Sequence, residues 1–199
     1  MIIKNAIKNQ SYKINFNMDL KKYLNNLIKK YYKVAIITDE NVYKIYKEKI
    51  NIKGLDILRV KPGEKSKSFN VKNSLDEKLL EKKFNRNSLI IGFGGGVVGD
   101  LSGYVAATIL RGIDLVHIPT SLIAIVDSSI GGKTGINSKN GKNLIGSFYN
   151  PREILINSEF INTLSLKEIR QGLSEIIKYG VIKNEKIFNF LEKSNKIFM

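Results

Sequence analysis

A chain of 199 residues with 43% hydrophobic content can hold one full domain, or one domain plus part of another, around a real core. Cys is absent, which excludes a disulfide framework and a thiolate metal site, and no apolar run approaches the ~20 residues of a membrane-spanning helix. The formal charge of +15 rests on 33 basic residues, only five of them Arg, scattered without an aromatic-interleaved stripe, so it reads as solvated helix faces rather than a nucleic-acid or membrane surface.

The predicted elements alternate along the chain. Ile2 to Ala6 and Tyr12 to Phe16 read as a strand pair around the segment Lys8 to Ser11. The first residues lack the layout of a signal peptide, so a cytoplasmic location is the simplest expectation. Asp19 caps a helix that carries Leu20, Tyr23, Leu24, Leu27 and Ile28 at helical spacing. Val34 to Thr38 is a buried parallel strand, Val42 to Lys49 a helix, Leu55 to Val60 a strand and Lys61 to Lys67 a loop. Ser68 caps a helix with Val71, Leu75, Leu79, Leu80 and Phe84 on one side. Ser88 to Phe93 is a strand that runs into a glycine loop and a helix from near Val98 to Leu110. Ile113 to Ile118 is a strand, Pro119 to Asn150 mostly loop and short helix, and Glu153 to Ile156 the last strand.

After Asn157 the character turns helical. Ser165 and Glu168 form a capping box, and the helix they open runs through Ile169, Leu173, Ile176 and Ile177 to a stop at Gly180. Ile187 to Met199 is a further helix with little to pack against. Strands alternating with helices imply an α/β fold with a parallel sheet and right-handed crossovers.

Ligands in such sheets sit beyond the strand C-termini, where the loops at Asp39, Gly63, Gly94 and Pro119 fall. Three segments suit anions. Gly94-Gly-Gly-Val-Val-Gly-Asp100 opens a helix, whose amides can receive a pyrophosphate. Asp127 to Asn137 is a long irregular run in which Lys133 reads as a buried cation among glycines. Gly141-Lys-Asn143 is the third. Together they suggest a phosphorylated substrate beside a nucleotide cofactor.

Each feature has a plainer alternative. The first glycine loop also serves as a tight turn for helix–strand packing. Asp39 and Asn41 suit ribose hydroxyls, but Asp39 also suits a helix cap. Taken alone, Glu64 and Lys67 suit a surface turn nearly as well. Arg111 can fork onto phosphate or satisfy helix C-terminal carbonyls. Glu175 and Lys178 share a helix face, as a metal-ligating carboxylate beside a cation or as an exposed ion pair. His117, the single histidine, reads as structural inside a strand.

These residues, in this order, resemble the 3-dehydroquinate synthase family. The likeness lies in Gly94-Gly-Gly-Val-Val-Gly-Asp-Leu101, Ala106 to Gly112, Pro119-Thr-Ser-Leu122, Val126 to Asn137, Gly141-Lys-Asn143, Thr163-Leu164 and Gly172-Leu-Ser-Glu-Ile-Ile-Lys178. It is dense from about Ser88 to Gly180 and sparser before. The resemblance implies a Rossmann-like NAD domain over 1–158 and the start of a helical metal and substrate domain over 159–199. It implies conversion of 3-deoxy-arabino-heptulosonate 7-phosphate to 3-dehydroquinate and phosphate in the shikimate pathway, with NAD and a divalent metal, zinc or cobalt, as cofactors.

By the same resemblance, Asp39, Asn41, Glu64 and Lys67 match the adenosine side of the NAD site. Gly95, Gly96, Val97, Gly99 and Asp100 match the pyrophosphate loop, and Thr120, Ser121, Phe160, Thr163 and Leu164 further NAD contacts. Ser121 is commonly Thr in the family. Asp127, Lys133, Lys142 and Asn143 match groups around the reacting ring and nicotinamide. Arg111 resembles a phosphate-binding arginine that reaches a neighbouring subunit, implying a homodimer. Lys178 matches a substrate-anchoring lysine and Glu175 the first of three metal ligands.

The sequence departs from the family in one respect: two downstream metal-ligand histidines have no counterpart here. The expectation is an N-terminal piece of the enzyme that binds NAD weakly and does not turn over. The alternatives are another sugar-phosphate cyclase of inosose or valiolone type, an iron-type polyol dehydrogenase, and a non-catalytic remnant. The segments Asp127 to Asn137 and Gly141 to Asn143 argue against the dehydrogenase.

Overall fold

The computed structural model describes residues 2–5 and 10–194; parts of the first predicted strand pair and of the last helix, through Met199, lie outside them. The strands are β1 (Ile2–Asn5), β2 (Gln10–Phe16), β3 (Val34–Asp39), β4 (Leu55–Val60), β5 (Leu89–Gly94), β6 (Asp114–Pro119), β7 (Lys133–Ser138), β8 (Gly141–Phe148) and β9 (Glu153–Ile156). The helices are α1 (Leu20–Lys30), α2 (Glu40–Ile50), α3 (Phe69–Glu81), α4 (Gly96–Thr108), α5 (Leu166–Lys183) and α6 (Glu185–Lys193).

Seven strands make one sheet in the order β1-β2-β9-β6-β5-β3-β4. β1 pairs antiparallel with β2, and the other pairings are parallel. Alternate side chains explain why both faces are covered. Ala35, Ile37 and Ile90 pack with Leu75 and Leu79 of α3 and with Leu101 and Val105 of α4. Val34, Ile36, Leu89 and Ile91 pack with Leu24 and Leu27 of α1 and Ile50 of α2. The predicted α/β parallel sheet is therefore present. Among the described residues no helix is long and apolar enough to cross a membrane.

The start signals act as the sequence suggested. Asp19 accepts from the Lys22 amide, Asp39 from those of Asn41 and Val42, and Ser68 from that of Val71. The Ser165–Glu168 capping box is made in both directions. Three expectations are corrected. α5 continues through Gly180 to Lys183, because Gly180 serves close packing against the Phe188 backbone rather than termination. Leu80 is exposed, and Phe84 is buried beyond the end of α3.

The largest correction concerns Pro119 to Asn150, which is mostly ordered structure. A π-helical turn spans Ala124–Ser128, and β7 and β8 form an antiparallel hairpin lying against α4. Glycine makes that packing possible: a Cβ on Gly103 of α4 would sit 2.4 Å from Cγ2 of Thr134 on β7. The local signal for the hairpin was the polar Lys139-Asn140 pair, which makes the turn between Ser138 and Gly141. Strands rich in glycine, lysine and asparagine hid it.

Candidate active site

The chain winds from β3 outward to β4, then returns to place β5 on the other side of β3. The order of strand addition reverses there, and the C-terminal ends of β3, β5 and β6 open a crevice. A groove of about 710 Å³ occupies it, lined among others by Asp39, Asn41, Gly63, Gly95, Gly96, Val97, Thr120, Ser121, Thr163 and Leu164. Residues assigned from scattered stretches of sequence thus converge on one wall-to-wall space.

α4 begins at the groove. Its N-cap, Gly95, makes no side-chain capping bond, and the first turn carries no acidic residue. The free amides and the helix dipole therefore favour an anion. The approach is also close: a Cβ on Gly96 would lie 3.0 Å from Oγ of Ser128, which would have to give way. The Thr120 amide donates to the Gly94 carbonyl at 2.9 Å, which fixes the two loops together. One oxygen of Asp39 is used for the α2 cap, so the capping and the ligand readings are compatible.

A second chamber, about 520 Å³, lies beside the same helix turn. Asp100, Asp127, Ser128, Lys133, Thr134 and Asn143 are among its lining residues. Asp100 stands one turn beyond Gly96, and Ser128 faces Gly96, so groove and chamber meet at the start of α4.

Lys133 is exposed at this chamber, so its expected burial is corrected. The buried cation is Lys67, whose side chain is 4% exposed. Its ammonium lies 2.5 Å from Oδ2 of Asp100 and 3.9 Å from Oε1 of Glu64, and it donates to Oδ1 of Asn143. Burial raises the Asp100 pKa, and the Lys67 hydrogen bond and charge oppose that rise. Lys67 is thus set against the chamber residues Asp100 and Asn143.

Asp127, in the π-helical turn, accepts a 2.5 Å hydrogen bond from the Tyr179 hydroxyl of α5. That bond, then burial, pushes the Tyr179 phenol up to about 12. One helical turn back, Glu175 pairs with Lys178, and its hydrogen bond raises the Lys178 pKa. Sequence reasoning did not single out Tyr179, which ties α5 to the chamber.

Other residues lie apart. Lys142 is exposed on β8 and does not line the chamber. Phe160 is fully buried, stacked edge-on with Tyr46 and Phe93, so only its backbone is available to a ligand. Gly99 lies over His117 within α4. Arg111 follows the far end of α4, roughly 20 Å of helix from Gly96. It is exposed and makes no ion pair among the described residues. Also among the described residues, no three His, Cys, Asp or Glu side chains converge.

A family model described as 3-dehydroquinate synthase N-terminal matches residues 57–171. A curated 3-dehydroquinate synthase from Dictyoglomus thermophilum is 49% identical over 189 residues, 94% of this chain and 53% of that protein. One from Clostridium botulinum is 44% identical over 196 residues, 94% of this chain and 56% of that protein. The solved 2-epi-5-epi-valiolone synthase of Streptomyces hygroscopicus, with NAD+ and Zn2+ bound, superposes with a TM-score of 0.85. It is 26% identical, and the match covers 96% of this chain and 55% of that one. The chain spans about half the length of the curated relatives it matches.

Proposed function

The chain belongs to the 3-dehydroquinate synthase family, and on that premise we propose that its groove binds NAD while its chamber takes the ring of 3-deoxy-arabino-heptulosonate 7-phosphate. The reaction on this reading yields 3-dehydroquinate and phosphate, a step of aromatic amino acid biosynthesis. The observation that carries the reading is the meeting of groove and chamber at the first turn of α4. NAD, when bound, accepts a hydride from a ring alcohol and later returns it, so it is regenerated in each turnover.

The chain's own groups divide the work. The uncapped amides from Gly95 to Gly99 hold the pyrophosphate, and Asp39 and Asn41 hold ribose hydroxyls. Thr120, Ser121, Thr163 and Leu164 complete the wall, backed by Phe160. Asp127, oriented by Tyr179, accepts from a ring hydroxyl. Lys133 at the chamber and Lys142 beside it supply positive charge toward the sugar phosphate. Glu64 and Lys67 support the wall between the two spaces. Lys178 anchors the substrate carboxylate. Arg111 serves the phosphate of a neighbouring subunit, which makes the working form a homodimer.

On this reading 1–158 is the NAD domain and 159–199 begins the metal and substrate domain. Glu175 would give one donor to zinc or cobalt. The requirement for about three protein ligands is not met by the described residues, because no second or third donor converges with Glu175 among them. No step is assigned to a metal. The reading further places the protein in the cytoplasm, without a nucleic-acid or membrane partner. Identity of 49% to a 3-dehydroquinate synthase, against 26% to the valiolone synthase, favours this product over other cyclase products.

Thermal unfolding with added NAD+ tests the reading. Saturating NAD+ should raise the midpoint by about 5 °C, and Val97→Asp, which sets a carboxylate at the α4 amides, should abolish the rise. A midpoint that ignores millimolar NAD+ overturns it.

A further inference from the structure

Two backbone irregularities of the hairpin converge on one side chain that the reading above leaves unused. The β7–β8 register shifts between Ile136 and Ser138, a bulge centred on Asn137. Bulges re-aim side chains and recur beside functional sites. Six residues on, Asn143 holds a left-handed backbone with φ of 59°, a conformation uncommon outside glycine and one that Asn tolerates better than most residues.

Asn137 joins both. Its Nδ2 donates to Oε1 of Glu64 at 2.8 Å, and its Oδ1 accepts from the Asn143 amide at 2.9 Å. Its own amide donates to the Lys67 carbonyl at 2.8 Å. Asn143 in turn accepts from the buried Lys67 ammonium. One amide side chain thus connects the Glu64–Lys67 turn, whose neighbour Gly63 lines the groove, to Asn143, which lines the chamber. An amide suits the place, since it must donate to a carboxylate and accept from a backbone N–H at once.

We propose that Asn137 is a positioning residue, holding Asn143 in its left-handed conformation against Lys67 and so fixing the wall shared by groove and chamber. The ligand part of this proposal rests on the NAD reading above. The backbone part does not.

The test exchanges donor and acceptor. Asn137→Asp sets a carboxylate against Glu64, and adding Glu64→Gln restores a donor facing an acceptor. In the 199-residue chain, Asn137→Asp should weaken NAD+ binding by about tenfold, the loss of one hydrogen bond to a charged group. The double variant should regain most of that loss, while Glu64→Gln alone should cost less than Asn137→Asp. A double variant no better than Asn137→Asp, or an Asn137→Asp chain that binds like the wild type, overturns the proposal. Rescue by the partner exchange would show that the effect runs through the Asn137–Glu64 bond.

The Asn143 Cα and Cβ chemical shifts, which report left-handed backbone, give a readout without NAD+. They should move in Asn137→Asp and return in the double variant. If the wild-type chain binds no NAD+, the functional reading fails, and these shifts decide the positioning role alone. If Asn137→Asp does not fold, Asn137→Ala takes its place, removing the acceptor for the Asn143 amide. Unchanged Asn143 shifts in a folded Asn137→Ala chain would likewise overturn the role.

Discussion

Nζ of Lys67 lies 2.5 Å from Oδ2 of Asp100, an ion pair that pins the second turn of α4 to the turn after β4. The lysine is enclosed while the carboxylate keeps partial access to the chamber. Such a pair is costly to break from one side, because the remaining charge stays desolvated.

Lys67→Met should therefore destabilise the fold by about 3 kcal/mol in urea unfolding at neutral pH. It also removes both groups of effects that lower the Asp100 pKa, leaving the desolvation that raises it. A carboxyl raised in the folded state stabilises the fold below its unfolded pKa, and that stability is lost as pH rises through its folded pKa. The variant should lose stability with rising pH over a wider window than the wild type. Carboxyl-carbon NMR of Asp100 should show its titration moved upward; an unmoved titration counts against the pairing.

His117 is buried in β6, and desolvation lowers its pKa to about 4 from the usual 6.5. Between those values the unfolded chain binds more protons, so stability falls as pH drops from about 6.5 toward 4. At pH 5 the loss should reach about 2 kcal/mol relative to pH 8. His117→Gln, which does not titrate, should show a flatter profile in denaturant unfolding across that range, whatever its stability at pH 8.

Tyr179→Phe removes the hydroxyl that holds Asp127. The cost at neutral pH should be about 1 kcal/mol, less than for an enclosed bond because the site is partly open to water. The phenol titrates near 12, above its ordinary 10, so its contribution is complete below pH 10 and is lost as pH rises through 12. A difference absorbance titration between wild type and variant should reveal one phenol of this kind. Its absence would remove the link between α5 and the π-helical turn.

Gly172 of α5 faces Leu122, where an added Cβ would lie 2.4 Å from Cγ. Gly172→Ala should cost about 2 kcal/mol by overpacking. Leu122→Gly in the same chain, which also removes the Leu122 Cβ at 2.5 Å, should recover part of that cost, giving a non-additive double-mutant cycle by thermal unfolding. Additive losses would mean that the two residues do not meet.

The sequence alone determined the sheet and its helices. Short apolar runs ending in polar loops are local periodicities, and Asp19, Asp39, Ser68 and Ser165 cap the helices that follow them through bonds within a few residues. The groove was legible for the same reason, since it is built from strand ends that the alternation already locates. Tertiary structure alone decided the chamber. Which lysine is buried depends on residues 33 and 76 positions away from Lys67, and no local pattern encodes that enclosure. The hairpin likewise follows from glycines fitted against α4, and the place of Asn137 from a bulge. Desolvation and close approach are properties of the packed chain, so Lys67 and Asn137 became recognisable only once distant segments were brought into contact.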